Sequence, residues 1–227
     1  MQKVKVSVII PAHNEEGAIK KVLGLFSYGR SCEVIIVDAA SADRTVEFAR
    51  QYPVKIIQSQ KGRALQMNAG AKAASGEMLL FLHCDCLLEN GSLESVSRVL
   101  SNGFIGGCLN QRIDKGGFVY RFIEAIGNIR AKLTKVFYGD QAIFVRKDAF
   151  LKLGGFPEVA IMEDVLFTKK LRKHGKTVVL PDKVIVSARR WEQNGILKTA
   201  LLYSMINILF WLKVPLEKIR RIYADVR

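Results

Sequence analysis

Short apolar runs alternate with segments of helical periodicity through the first third of the chain. Between the runs, apolar residues recur at helical spacing, as Ile19, Val22 and Phe26 do. Strands that alternate with helices of about ten residues are typical of a mostly parallel α/β sheet covered by helices. Four strands are therefore predicted, at residues 4–10, 33–37, 54–57 and 78–82. Pro11 is expected to end the first strand, and Asn14 is expected to cap the helix that follows.

The second half of the chain is less regular. Helices are predicted at residues 92–100, 118–133, 147–153 and 163–174, and strands at 104–113, 137–145, 178–180 and 184–186. Within the first of these strands, Gly106-Gly107 indicates a bulge or a close approach of two backbones. The 227 residues contain no internal repeat, low-complexity tract or clear linker.

The charge of the chain indicates an anionic partner. The formal net charge is +14, and 49% of the residues are hydrophobic. The hydrophobic share predicts a packed core, whereas the charge fits a nucleotide-linked substrate, a nucleic acid or an anionic membrane. The amino terminus lacks the apolar core of a signal peptide, and no run reaches the roughly 18–20 apolar residues of a membrane-spanning helix. A cytoplasmic location is expected, either free or peripheral at the inner face of the membrane.

The four cysteines are expected to be reduced thiols. Cys32, Cys84, Cys86 and Cys108 show no Cys-x-x-Cys spacing, and three of them lie in or beside apolar stretches. This usage is typical of buried thiols in a cytosolic protein. Cys84-x-Cys86 beside His83 could bind zinc, although no second pair of ligands is evident.

Acidic residues and one histidine mark three candidate sites. His83 and Asp85 follow the fourth strand, and ligands of open α/β sheets lie beyond the carboxyl ends of the strands. These two side chains could face one divalent cation, or the strand could end in a polar loop. Asp38 ends the second strand, where it could bind a nucleobase or ribose or cap the next helix. Glu163-Asp164 begins a helix, where the dipole favours carboxylates, and it could also supply a general base.

Five segments occur in the order of a known family's motifs. They are VSVIIPAHNE (residues 6–15), IVDAASAD (36–43), the run NAG, SGE and FLHCD (68–70, 75–77 and 81–85), Glu163-Asp164, and Arg189-Arg190-Trp191. In this order they resemble glycosyltransferase family 2. They match its opening, its Val-Asp-Asp-Gly-Ser-x-Asp segment, the run into its Asp-x-Asp motif, its acceptor-side Glu-Asp and the end of its Gln-x-x-Arg-Trp motif. Gly62-Arg63, QMNAG (66–70) and Gly139-Asp140-Gln141 resemble in particular the subgroup named for arsenosugar biosynthesis.

This resemblance implies a GT-A fold, with a mixed, mostly parallel central sheet flanked by helices. It implies transfer of a sugar from a UDP- or GDP-linked donor to a hydroxyl acceptor, which can be a small molecule, with inversion at the anomeric carbon. It also implies one domain over residues 1–227. In that domain a nucleotide-binding half would extend to about residue 90, an acceptor half would span 91–195, and a helical segment would span 196–227.

The resemblance also assigns roles to single residues. Those expected to bind the nucleotide sugar are Pro11, His13, Glu15, Asp38, Lys61, Arg63, Asp85, Arg190 and Trp191. Asp85, with His83, would hold Mg²⁺ or Mn²⁺ on the diphosphate, where hard oxygen ligands suit such ions. Asp164, beside Glu163, would deprotonate the acceptor hydroxyl.

Four positions depart from the family pattern. Ala39 and Ala40 stand where the family has its second Asp and its Gly after strand two, which weakens the expected ribose contact. His83 stands at the first position of Asp-x-Asp, and imidazole suits Mn²⁺ better than Mg²⁺. Ser187 stands at the first position of Gln-x-x-Arg-Trp, so processive synthesis is not supported.

Residues 196–214 form an apolar segment with Lys198 and Lys213 near its ends. Such a helix could pack on the sheet, form a homodimer or lie at a membrane surface. Further basic residues that would favour the membrane are Lys218, Arg220, Arg221 and Arg227.

Two other functions stay open at this point. A sugar-phosphate nucleotidyltransferase would carry a Gly-rich phosphate loop after strand one, whereas PAHNE at residues 11–15 contains no glycine. A non-catalytic protein that binds anions or nucleic acid is suggested by charge alone. Since the basic residues follow no nucleic-acid-binding motif, no nucleic acid partner is expected.

Overall fold

A mixed sheet forms the centre of the protein in a computed structural model that describes residues 5–26 and 32–225. Eight strands of these residues lie in the order β3-β2-β1-β4-β7-β6-β8-β5. They are β1 (Val6–Ala12), β2 (Cys32–Asp38), β3 (Lys55–Gln58), β4 (Met78–Phe81), β5 (Cys86–Leu88), β6 (Gly106–Ile113), β7 (Phe144–Arg146) and β8 (Thr177–Val186). The strands β3, β2, β1 and β4 pair in parallel, as do β6 and β8, whereas β5 and β7 are antiparallel to their neighbours.

Helices cover the sheet and extend beyond it at the carboxyl end. They are α1 (Glu16–Gly24), α2 (Thr45–Ala49), α3 (Arg63–Ala73), α4 (Ser92–Ser101), α5 (Phe118–Thr134), α6 (Lys147–Lys152), α7 (Glu163–His174), α8 (Arg189–Asn194), α9 (Ile196–Trp211) and α10 (Leu216–Asp225). The bounds of α7 agree with the prediction, and α9 and α10 lie within the helical segment predicted at residues 196–227, whereas the short strand β5 was not predicted. Among the residues that the structure describes, no helix is long and apolar enough to cross a bilayer.

The central strands are buried on both faces. Val8 and Ile10 of β1 belong to one hydrophobic cluster, and Ile9 between them belongs to the other. Val34 and Ile35 of β2 divide in the same way. Since successive side chains of a strand point to opposite faces, continuous apolar runs mark strands that have helices on both sides.

The prediction that Pro11 ends the first strand was wrong, because β1 continues to Ala12. The carbonyl of Ala12 faces β2, where it accepts a hydrogen bond from Ala39, and the carbonyl of Ile9 faces β4. Alternate residues of a strand direct their backbone groups toward the same neighbouring strand. Pro11 lies two residues after Ile9, so its nitrogen points toward β4, which has already ended at Phe81. Proline is tolerated at such a position because no ladder hydrogen bond is lost. The predicted start of this strand, Val4, and Arg227 lie outside the described residues.

Asn14 does not cap the first helix. The helix begins at Glu16, and Asn14 has a φ of 56°. Its side-chain oxygen accepts a hydrogen bond from the amide of Ala42, 2.9 Å away. A contact between two loops therefore replaces the local cap.

Two strand predictions in the second half were also wrong. Residues 178–186 belong to the single strand β8. Its register with β6 shifts between Leu109 and Asn110, which pair with Leu180 and Lys183, so Pro181 and Asp182 have no partner residue in β6. Residues 137–145 form a 3₁₀ turn at Gly139–Gln141 and only then the short strand β7. The expected close approach at Gly106-Gly107 is present, since a Cβ on Gly107 would lie 2.1 Å from the carbonyl oxygen of Val178.

A third hydrophobic cluster joins the carboxyl-terminal helices to the start of α7. It contains Val136, Met162, Val165, Leu202, Ile206 and Ile219. Because Val165 follows Asp164 directly, the helices α9 and α10 are packed beside one of the candidate sites.

Candidate active site

The carboxyl ends of β1 and β2 bring Asp38 beside Ala12. Asp38 is only 1% exposed, and its carboxylate accepts hydrogen bonds from Ser41 and from the side-chain amide of Gln58. The carboxylate therefore organises the loop after β2, and its role toward a base or ribose stays a prediction.

His13 and Lys61 are neighbours at this edge of the sheet. The ammonium of Lys61 lies 2.8 Å from Nε2 of His13, and Nδ1 of His13 lies 2.9 Å from the carbonyl oxygen of Ala39. An ammonium can only donate, so Nε2 is the acceptor and Nδ1 carries the proton. Pro11 and Glu15 are half-buried on either side of His13.

The turn between β4 and β5 forms a candidate metal centre. The possible ligand atoms of His83, Asp85 and Cys86 all lie within 4.8 Å of one another. Burial, together with the carboxylates of Asp85 and Asp140, raises the pKa of the Cys86 thiol well above its ordinary value. The imidazole of His83 and the carboxylate of Asp85 are the ligand types that suit a hard or borderline divalent cation, whereas a thiol suits softer metals. One nitrogen and one oxygen fit Mn²⁺ better than Mg²⁺.

The zinc alternative proposed Cys84 and Cys86 as a pair. Cys86 lies in the cluster with His83, whereas Cys84 is not a member. Burial also raises the pKa of Cys84 well above its ordinary value, with the carboxylate of Glu15 adding to the rise. Because Cys84 lies outside that cluster, the described residues do not place both thiols at one candidate metal centre.

Glu163 and Asp164 lie at the amino terminus of α7 and are both buried. Oδ2 of Asp164 accepts a hydrogen bond of 2.6 Å from the amide of Gly139, and Oδ1 accepts one of 2.7 Å from the amide of Val165. Oε1 of Glu163 lies 3.2 Å from Nε of Arg63. Burial raises the pKa of Glu163 against the effect of Arg63, and the Asp164 carboxylate adds to the rise.

Gly139 lies beside both the candidate metal centre and the candidate base. A Cβ at this position would lie 2.9 Å from Nε2 of His83 and 3.3 Å from Oδ2 of Asp164. The two side chains therefore border the same small volume, although one comes from the turn after β4 and the other from α7.

Asp140 is an acidic residue of this site for which the sequence predicted no function. Its Oδ2 accepts a hydrogen bond of 2.7 Å from Gln111, while Oδ1 is buried and has no hydrogen-bond partner among the described residues. Burial and the nearby Asp164 carboxylate raise the pKa of Asp140, and Arg130 opposes the rise. The subgroup-like segment Gly139-Asp140-Gln141 was the one sequence signal that could have identified it.

Arg190 connects the carboxyl-terminal helices to the site. It donates hydrogen bonds to the hydroxyl of Tyr203 in α9, at 3.0 Å, and to the hydroxyl of Tyr223 in α10, at 2.5 Å. Burial lowers the pKa of Arg190, but both tyrosines and Asp85 raise it, and the net shift is upward. The edge of Trp191 packs on Tyr203, with ring centroids 5.5 Å apart. Neither tyrosine carries a sequence signal, because both contacts depend on how the helices pack.

Arg63 and Arg190 lie close enough to influence each other. Burial lowers the pKa of Arg63, and the positive charge of Arg190 lowers it further. The carboxylates of Glu163 and Asp164 raise it, and the net shift is upward. The structure thus brings together Arg63, His83, Asp85, Glu163, Asp164 and Arg190, while Asp38 is turned into its own loop.

Solved structures with the same architecture define the class of protein. TarS of Staphylococcus aureus in complex with UDP-GlcNAc superposes with a TM-score of 0.64 at 21% identity, over 81% of this chain and 58% of that one. The mannosyltransferase PcManGT of Pyrobaculum calidifontis, in complex with GDP-Man and Mn²⁺, gives 0.65 at 22% identity, over 84% and 61%. The chain therefore has the GT-A fold.

Sequence comparison then gives the family. The model of glycosyl transferase family 2 matches residues 7–153, so the chain belongs to that family of enzymes. Glycosyltransferase AglE of Haloferax volcanii is 32% identical over 198 residues, which cover 79% of this chain and 65% of that protein. The chain accordingly covers between 58% and 65% of each of these matched chains, of which that of TarS consists of residues 1–349.

Proposed function

We propose that this protein transfers a sugar from a nucleoside diphosphate to a hydroxyl group, with inversion at the anomeric carbon. The observation that supports it most is that His83 and Asp164 both lie against Gly139 and border one small volume. A group that stabilises the leaving diphosphate and a group that takes the acceptor proton must flank the reacting carbon. Separate functions for the two sites would not require such closeness.

Basic residues would hold the donor. Arg63 and Arg190 carry two guanidinium groups on one side of the site, and Lys61 lies beside His13 at the ends of β1 and β2. Guanidinium groups make charge-assisted hydrogen bonds to phosphate, and an ammonium adds a point charge. As the bond between the anomeric carbon and the diphosphate oxygen breaks, its electron pair passes to the diphosphate, whose charge these residues stabilise.

Asp164 would accept the proton of the acceptor. Its two hydrogen bonds from backbone amides fix the carboxylate, and each oxygen keeps a second acceptor direction for a hydroxyl group. The acceptor oxygen then forms the new bond to the anomeric carbon while its proton moves to Asp164. A positioned base of this kind contributes about 10²- to 10⁴-fold to the rate.

A divalent cation, Mn²⁺ in preference to Mg²⁺, fits the residues after β4. Asp85 and His83 would hold it, and Cys86 lies beside them. When bound, such an ion would act as a Lewis acid that offsets charge on the diphosphate. The Mn²⁺ and GDP-Man of PcManGT, and the UDP-GlcNAc of TarS, support a nucleotide-sugar donor and a metal in this protein.

The finer features belong to the same proposal. They include a UDP- or GDP-linked donor, a small-molecule acceptor of the kind handled by the arsenosugar-type subgroup, and action of residues 1–227 as one GT-A domain. A cytoplasmic location is also proposed, with membrane contact or self-association through residues 196–214. The segments at 62–70 and 139–141 support the subgroup, because Arg63 and Gly139 both lie in the site.

A donor panel combined with two variants tests the function. Purified protein would be incubated with UDP-, GDP- and dTDP-sugars, with and without Mn²⁺, and donor binding would be measured by thermal shift. Asp164→Asn is expected to abolish transfer while donor binding persists, and Asp85→Asn to weaken both. Asp148→Asn, on the exposed start of α6, is the matched control. Full transfer activity in Asp164→Asn would overturn the assignment of the base.

A further inference from the structure

The exposed large apolar side chains lie almost entirely on two helices. Among the described residues, Leu151 is the single exception. The side chains on α5 are Phe118, Val119, Phe122, Ile126, Ile129 and Leu133, and those on α9 and the residue after it are Leu197, Leu201, Met205, Ile208, Trp211 and Leu212. We call these two sets the outer stripes.

Each outer stripe lies opposite a buried side of the same helix. On α5, Tyr120 and Ala131 are buried while Phe118 is 85% exposed. On α9, Leu202 and Ile206 pack in the third cluster while Trp211 is 66% exposed. A helix that is apolar on both sides is usually covered on both sides, by protein or by lipid. The stripes thus form an exposed apolar surface of the kind that marks an interaction site.

The helices α5 and α9 are linked through one residue, Tyr138, beside the candidate active site. The guanidinium of Arg130 in α5 lies 3.6 Å above the ring of Tyr138, and the Tyr138 hydroxyl hydrogen-bonds to Asn207 in α9. Tyr138 directly precedes Gly139, whose amide binds Asp164. One residue of the active-site turn therefore holds both helices.

The charges around the stripes favour an anionic surface. α5 contains one carboxylate, Glu124, which is buried and bonded to Arg121 and to the amide of Ile113. α9 contains none, and Lys132, Lys198 and Lys213 are exposed near the stripes. Two copies of a chain with a net charge of +14 would repel each other, whereas anionic lipid would attract it. Apolar side chains flanked by lysines, with a tryptophan near the helix end, suit the interface of a bilayer.

We propose that the outer stripes of α5 and α9 together form a docking surface for a bilayer that contains anionic lipid. This inference rests on the proposed function only in placing the surface beside an active site. Vesicle binding does not require transfer, so the failure of one would be distinguishable from the failure of the other.

Vesicle sedimentation at low salt tests the proposal. Wild-type protein is expected to sediment with vesicles of phosphatidylcholine and phosphatidylglycerol, and less with phosphatidylcholine alone or at high salt. The double variants Phe122→Ser/Ile126→Ser and Leu201→Ser/Ile208→Ser are each expected to lower the partition coefficient at least about tenfold, because each removes two apolar side chains from the surface. Leu151→Ser, at the exposed apolar residue away from the stripes, is expected to leave it unchanged.

Two results would overturn the docking surface. One is the absence of sedimentation at low salt, and the other is equal sedimentation of wild type and both double variants. A dimer in light scattering that both double variants dissociate, without vesicle binding, would assign the surface to a second copy of the chain. Circular dichroism of each variant would establish that the fold is retained.

Discussion

The amide of Gly139 donates a hydrogen bond of 2.6 Å to Oδ2 of Asp164. This contact joins the 3₁₀ turn before β7 to the first turn of α7, two segments that are 25 residues apart. It fixes the candidate base, and it sets the width of the space between that base and His83.

Gly139→Ala is expected to lower the transfer rate about 100-fold, because displacing a reacting group by about 1 Å costs that much. The added Cβ would meet His83 Nε2 at 2.9 Å and Asp164 Oδ2 at 3.3 Å, so one of them must shift. Initial rates at saturating donor would measure the loss. Gly17→Ala in α1 is the matched control, since a Cβ there would meet no atom within 4 Å. Equal activity of Gly139→Ala and wild type would show that this spacing is unimportant.

His83→Asp is expected to change the metal preference of the reaction. It would create a second carboxylate at the site of His83 and Asp85, and carboxylate oxygens suit Mg²⁺ better than imidazole does. The ratio of transfer rates in Mg²⁺ and in Mn²⁺ should therefore rise. An unchanged ratio, in a variant that still binds donor, would remove His83 from the metal site.

Tyr223→Phe is expected to raise the KM for the nucleotide sugar about tenfold with little change in kcat. The substitution removes the hydroxyl that accepts a hydrogen bond from Arg190, and a hydrogen bond to a charged group contributes about 1.5 kcal/mol. Steady-state kinetics with varied donor would separate the two constants. Tyr52→Phe serves as the control, because the Tyr52 hydroxyl bonds to the carbonyl of Lys20 at 3.4 Å. A fall in kcat alone would contradict a donor-binding role for Arg190.

Asp140→Asn is expected to stabilise the fold at neutral pH. Burial and the Asp164 carboxylate raise the pKa of Asp140, so the folded protein holds this proton more tightly than the unfolded chain. Stability is therefore lost as the pH rises from the ordinary value of 3.8 through the raised pKa. The gain of the variant over wild type, measured by urea unfolding, should be present at pH 7 and shrink in acid.

Asp148→Asn is expected to change the stability at neutral pH in the opposite direction in the same experiment. Hydrogen bonding to Arg146 lowers the pKa of Asp148, so its carboxylate stabilises the folded state above the unfolded pKa and loses that effect in acid. The variant should be less stable than wild type at pH 7, by a small amount because the pair is exposed. The same pH dependence in both variants would contradict the environment described for Asp140.

Local sequence patterns predicted the elements whose apolar residues repeat within a few positions of the chain. The apolar runs of β1, β2 and β4 are dictated by burial on both faces, and the helical spacing in α7 gave its bounds directly. Motif order then placed His83, Asp85 and Asp164 at strand and helix ends, and the family assignment agrees with that reading. These features depend on residues a few positions apart, so the sequence alone determined them.

Contacts between distant segments decided the rest. Residues 137–145 form a turn rather than a strand because Asp164 holds the amide of Gly139 and Gln111 holds Asp140. Arg63 meets Glu163 across 100 positions, and Tyr203 and Tyr223 reach Arg190 only when α9 and α10 pack on the start of α7. The sequence therefore determined most of the strands, most of the helices and the residue types of the site. Tertiary packing decided which side chains share one volume, because the free energy of each such contact depends on partners that no local pattern specifies.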